Sequence, residues 1–228
     1  MSTTTTMTTR EAAERLGITQ QSVRQLINNG QLKVEGTAGR AKLLSRSSVE
    51  RLAAAGTRRG RPWTAKVAWA ALALLSGRNP NWISSSEKSR LKSRLNEMDA
   101  DTVRILARNK DRTLRFRVSP DGIAILIDHL IVSGAAAMQD QDMAETFGMS
   151  GGGGIAEGYV MAGDAQALAD ALGMVQDPDG NAIIHEVDFN PFEEGKAPVA
   201  AIAVDLMDSL ATRERSAGRR VIDGLLHA

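Results

Sequence analysis

Five residues between positions 19 and 29 have types and spacing that could act together. Gln20, Gln21, Arg24, Gln25 and Asn28 share one arc when the stretch is wound as a helix at about 100° per residue. Amide and guanidinium side chains bond bidentately to adenine and guanine edges in the major groove. The arc holds no carboxylate, whereas an ordinary solvated face mixes Glu with Lys. Val23, Leu26 and Ile27 occupy the opposite arc and must pack on something. Taken alone, the stretch fits a plain surface helix as well as a reader of base edges, and its surroundings have to decide.

Those surroundings are ordered. Thr19 can cap the helix, and Gly30 stands where a left-handed residue ends one. Upstream, Thr8 and Glu11 form a capping-box pair. Ala12 and Ala13 allow a close helix crossing, Leu16 and Ile18 face inward, and Gly17 permits a sharp turn. Two helices joined by such a turn, with the second carrying the readers, make a helix-turn-helix. Downstream, Leu32–Glu35 alternates like a strand, Gly36–Gly39 reads as a turn and Ala41–Leu44 as the returning strand. Ser47 and Glu50 read as a second capping box, opening a helix that runs to Ala55. Met1–Thr9 reads as a frayed tail. Thr19, Arg40, Lys42 and Arg46 lie where they could meet backbone phosphates.

The run "TTREAAERLGITQQSVRQLINNGQLKVEGTAGRAKLLSRSSVERLA" resembles the winged helix-turn-helix of the MerR and excisionase kind. The resemblance implies a DNA-binding head over residues 1–56. A basic linker at 57–62 follows, whose Arg58, Arg59 and Arg61 suit phosphates or a minor groove.

The chain has 228 residues, no Cys and a net charge of +1. Disulfides and thiolate metal sites are excluded, and a reducing, cytoplasmic location is expected. The start of the chain lacks the basic-then-apolar pattern of a secretory signal. Charge is unevenly spread. Residues 1–62 hold eleven Lys/Arg against four Asp/Glu, residues 63–118 twelve against five, and residues 119–228 five against eighteen. A basic front points to nucleic acid. The acidic rear avoids DNA, faces a basic partner, or neutralises the front within the molecule.

Residues 63–112 read as a helical segment. Trp63–Leu75 is apolar nearly all round yet too short to span a bilayer, which needs about twenty residues, so no membrane span is expected. Trp63 and Trp69 read as core. Ser84 and Glu87 form another capping pair before a basic helix whose seam is Leu91 and Leu95; Asp99 or Asp101 opens a further helix. Residues 113–228 read as an acidic α+β domain, a small sheet with helices gathered on it. Its strands are Thr113–Val118, Leu130–Gly134, Gly158–Met161 and a hairpin of Met174–Gln176 with Ala182–Val187 across the turn Asp177–Gly180. Its helices are Asp121–His129, Asp164–Leu172 (capped by Asp164), Val199–Leu210 and Thr212–Leu226. Gly151–Gly154 is a loop without the Gly-Lys-Ser/Thr of a phosphate cradle. The fold class is therefore α+β.

The runs "TLRFRV", "LIVSG", "GYVMAGDAQALADALGMV", "DGNAIIHEV", "APVAAIAVDLMDSL" and "RERSAGRRVIDGLL" resemble, in order and spacing, the C-terminal domain of AbiEi-type antitoxins. A Met-rich insertion from Met138 to Met149 departs from that pattern. The resemblance implies a head that represses its own operon and a rear domain that receives a nucleotidyltransferase toxin, as in type IV toxin–antitoxin systems. Catalysis is not expected. His129, His185 and His227 are far apart in sequence, Asp205 and Asp208 lack a second acidic pair, and no nucleophile triad is visible. No metal or cofactor is expected. The expected function is a sequence-specific transcriptional regulator that binds double-stranded DNA, as a homodimer because one short helix reads only a few base pairs. An excisionase-like or replication-associated factor and an effector-sensing regulator are the alternatives; a deep apolar pocket would point to the last.

Overall fold

Thr8 and Glu11 start the first helix as a reciprocal pair. The Thr8 backbone N–H donates to Glu11 Oε2 at 2.7 Å, and the Glu11 N–H donates to Thr8 Oγ1 at 3.2 Å. The computed structural model describes residues 6–39, 41–54, 62–151 and 154–228. Within the head, β1 (Thr6–Thr8), α1 (Thr9–Leu16), α2 (Gln20–Asn28), β2 (Val34–Ala38), β3 (Ala41–Ser45) and α3 (Arg46–Ala54) follow in order. Gly17, at φ 64°, makes the left-handed turn between α1 and α2. Thr19 Oγ1 caps α2 by accepting from the Ser22 N–H at 3.1 Å.

Three head expectations are corrected. Thr6–Thr8 is a strand, not part of a frayed tail. It pairs antiparallel with Leu43–Ser45 and buries Met7, a gain that needs a distant partner and leaves no local period. The first wing strand runs from Val34 to Ala38, with a bulge between Val34 and Gly36 that lets residues expected in the turn continue the ladder. Ser47 and Glu50 do not form a capping box. Glu50 takes Arg15 of α1 at 2.7 Å, and the Ser47 hydroxyl turns toward the rear of the molecule.

The middle helices α4 (Ala65–Leu75), α5 (Ser85–Leu95) and α6 (Ala100–Ala107) begin at Thr64, Ser84 and Asp99. Ser84 and Glu87 do form the expected box, and Asp99 caps α6. The remaining elements are β4 (Arg112–Arg117), α7 (Pro120–Ile127), β5 (Ile131–Val132), a 3-10 turn at Gly134–Gln139, α8 (Gln141–Thr146), β6 (Ala156–Met161), α9 (Asp164–Ala171), β7 (Val175–Gln176), β8 (Ala182–Val187), α10 (Val199–Met207) and α11 (Thr212–Leu226). The fold class is α+β, as expected.

The five-stranded sheet runs in the order β5-β6-β8-β4-β7. β7 and β8 therefore do not form the expected hairpin: β4 lies between them and pairs with both. Gly180 makes this crossing possible, because a Cβ there would run into the Phe116 carbonyl. β6 and β8 are parallel and joined through α9, which starts at Gly163 rather than under an Asp164 cap.

Alternation along the strands sorts the residues to two faces. Phe116, Val160, Ala182 and Ile184 pack with α7 and α9. Tyr159 and Val187 face the larger core built from α4, α5, α6, α10 and α11, so the middle helices and the C-terminal helices share one core. Trp69 sits at its centre, fully buried, with its indole N–H donated to the Lys110 carbonyl at 2.8 Å and its ring edge-on to Tyr159 and Phe192. Among the described residues no helix is long and apolar enough to cross a membrane. Trp69→Ala should lower the stability of the chain by about 3–5 kcal/mol in denaturant titration; a loss below about 1 kcal/mol would show that this core does not close on Trp69.

Candidate nucleic-acid interface

The head has its own core of Met7, Ala12, Ala13, Leu16, Val23, Leu32, Leu44 and Val49, separate from the two cores of the body. Val23 is fully buried in it, and Leu26 and Ile27 pack against its edge. With that arc held, Gln20, Gln21, Arg24, Gln25 and Asn28 are all exposed. The body does not cover them.

The phosphate candidates are less uniform. Thr19 is exposed, but its hydroxyl is engaged as the cap of α2 and lies 3.0 Å from the Ser22 hydroxyl. Lys42 is exposed on β3, opposite Thr37 of β2. Arg46 is exposed at the start of α3 and near enough to Glu11 and Glu50 to help hold both carboxyls below their usual range; for Glu11 the Thr8 hydrogen bonds are the larger cause, and for Glu50 the bond from Arg15. Arg40, Arg58, Arg59 and Arg61 lie outside the described residues.

A helix-turn-helix domain family model matches residues 6–57. The head is a helix-turn-helix domain. Searches of curated proteins and of solved structures give no match to the chain. The match fits a DNA-binding fold, and it ends where the body begins.

The body grips this helix-turn-helix domain through one acidic turn. Asp179, between β7 and β8, accepts from the Ser45 hydroxyl at 2.6 Å, the Ser47 hydroxyl at 2.5 Å and the Arg51 guanidinium at 2.5 Å. Arg51 also donates to the Pro178 carbonyl. Lys33 stands 3.2 Å from Asp177, which in turn takes Arg117 at 2.7 Å. Burial raises the Asp179 carboxyl, but the two hydroxyls and Arg51 outweigh it and bring its pKa down to about 2. Further ion pairs join the basic front to the acidic rear, including Arg104 with Asp208 at 2.7 Å and Arg112 with Glu186 at 3.3 Å. Much of the charge asymmetry is thus neutralised inside the molecule.

A second polar cluster escaped the sequence reading because its members come from five separate segments. Lys110, fully within the protein, stands between Asp111 and Asp205, 2.8 Å from Asp205 Oδ1. The other Asp205 oxygen accepts from Tyr159 and Ser133, each at 2.5 Å. His185 lies 3.3 Å from Asp111 and 3.3 Å from Glu157. Asp111, His185 and Asp205 could each offer one atom to a metal ion. The Lys110 ammonium already supplies a cation between the two carboxylates, so the arrangement is a closed charge network. Asp205 and Asp208 diverge: Asp205 is buried here, while Asp208 is exposed and pairs with Arg104. His129 and His227 are exposed and lie apart from the cluster.

Burial alone would lower the His185 pKa, but Asp111, Asp205 and Glu157 push it up to about 10. A raised folded-state pKa contributes stability that is fully present below the ordinary value of 6.5 and is lost as pH climbs through about 10. The His185 ring resonances should therefore stay flat between about pH 5 and 8, where an unperturbed imidazole titrates; a midpoint near 6.5 would contradict the network. Asp179→Ala should cost about 1–3 kcal/mol, because Ser45, Ser47 and Arg51 lose their common acceptor. Hydrogen exchange in β3 and α3 should quicken, and unchanged exchange there would mean that the turn does not hold the head.

Proposed function

We propose that the protein is a sequence-specific regulator that binds double-stranded DNA through its helix-turn-helix domain. One observation carries the reading: the arc of Gln20, Gln21, Arg24, Gln25 and Asn28 is wholly exposed on the second helix of that domain and free of carboxylates. In this reading α2 enters the major groove and those side chains meet base edges. Lys42 on the wing strand meets the backbone. A single short helix covers only a few base pairs, so two copies bind adjacent half-sites. A place in the cytoplasm, alongside DNA, goes with the reading, and the buried charge network serves structure rather than catalysis.

The sequence runs similar to AbiEi-type antitoxins extend the proposal. The regulator represses the operon that encodes it, and its rear half receives a nucleotidyltransferase toxin from the same operon. The order of those runs supports this extension. Co-purification with a nucleotidyltransferase encoded beside it tests this part, and failure to bind that protein would remove it while leaving the DNA reading intact.

Selection from a random duplex pool with the full chain should enrich one motif. On that motif, Arg24→Ala should weaken binding by about 1–3 kcal/mol while random DNA is much less affected. Lys42→Ala should weaken all duplexes alike and reduce the salt slope by about one. Equal losses from Arg24→Ala on the selected and the random duplex would overturn the base-reading assignment.

A further inference from the structure

Behind the acidic turn lies a cavity of about 390 Å³, bounded by Arg51 of the head, by the open end of the sheet and by the start of α11. Its size is that of a small-molecule site. Most of its lining residues are charged or polar, unlike the apolar pocket expected of an effector site. Strand register explains one wall: Arg115 of β4 faces Ile183 of β8, which faces Glu157 of β6, so the three form a row across one side of the sheet. α10 covers the neighbouring row of Thr113, His185 and Tyr159, placing Asp205 over it, while the Arg115 row opens into the cavity.

Arg115 is the unusual member. It is partly buried, yet its guanidinium has no hydrogen bond or ion pair among the described residues. Nearby carboxylates are committed elsewhere: Glu157 to His185 and the Ala135 N–H, Asp179 to Ser45, Ser47 and Arg51, and Asp208 to Arg104. A guanidinium cannot shed its proton to relieve burial. Burial first and the nearby Arg51 second disfavour its charge, and together they outweigh the more distant attraction of Glu157, Asp179 and Asp208. Arg108, at the end of α6, lines the same cavity, its side chain also without a partner among the described residues. So does the start of α11, whose first turn lacks a side-chain cap and presents the positive end of the helix dipole. Only Glu214 opposes an anion there without an ion pair of its own among the described residues.

We propose that this cavity binds a small molecule through a carboxylate or phosphate group, held by the planar fork of Arg115 with Arg108 at the mouth. Arg51 lines the cavity while it clasps Asp179, so the bound oxyanion lies beside the contact that fixes the head. A consequence for DNA affinity rests on the DNA-binding reading above, but oxyanion binding itself does not.

Calorimetric titration of the full chain tests the site, with inorganic phosphate in one arm, succinate in the other and chloride at matched ionic strength as reference. Saturable binding is expected in at least one arm at or below about 10 mM, and the arm that saturates identifies the group. Arg115→Gln should weaken it about tenfold and Glu214→Gln should tighten it. Arg108→Gln, a change at an exposed position that leaves the core intact, should weaken it about threefold and decides the matter if Arg115→Gln does not fold. Absence of saturation in both arms, or affinity unchanged in both arginine variants, would overturn the proposal. Loss of DNA binding with anion binding retained would remove only the regulatory link.

Discussion

The burial of Val23, with Leu26 and Ile27 beside it, is the constraint on which the head depends. An amphipathic helix of nine residues is not stable alone and takes its orientation from the face it buries. Once those three side chains are fixed against Leu16, Leu32 and Leu44, the rotation of α2 is set. The amides and Arg24 on its far side then point away from the molecule. The arc is useful because it has nothing else to do: among the described residues none of its five side chains has a hydrogen bond or ion pair within the chain. A major groove offers it the partners that the protein does not.

Polar contacts, not apolar ones, join that head to the rest. The head core is self-contained, and the body reaches it through Asp177 and Asp179. Partly buried, hydrogen-bonded charge of this kind gives one defined geometry at modest net gain in stability, since both partners give up water. The same reasoning applies deeper in the body, where Lys110 is tolerable only because Asp111 and Asp205 flank it. Both clusters place acidic residues of the second half against basic residues of the first, which gives the lopsided charge distribution a role inside the fold.

How much could be read beforehand depended on whether the signal was local. Caps and turns are local, and Thr8 with Glu11, Gly17, Thr19, and Ser84 with Glu87 stand as expected. The apolar arc of α2 and the buried Trp69 helix are local as well. Most errors came where the partner lay far along the chain. Ser47 and Glu50 have the spacing of a capping box, but Arg15 and Asp179 compete for them and win. The stretches around Asp177–Gly180 have a hairpin's composition, yet β4 offers both strands a longer partner and separates them. The charge network was invisible for the same reason. Glu157, Tyr159 and His185 alternate within apolar strands, which hints at a polar row, but only the pairing of β8 with both β6 and β4, with α10 packed over them, brings them to Asp111 and Asp205.

The central claim is that α2 meets DNA with its amide and guanidinium arc, and hydrogen exchange on the full chain tests it most directly. The comparison is between free protein and protein saturated with its selected duplex. The account predicts that slowed exchange centres on Gln20–Asn28 and the adjoining wing. Protection confined to the body, with α2 exchanging as fast as in the free chain, would contradict it.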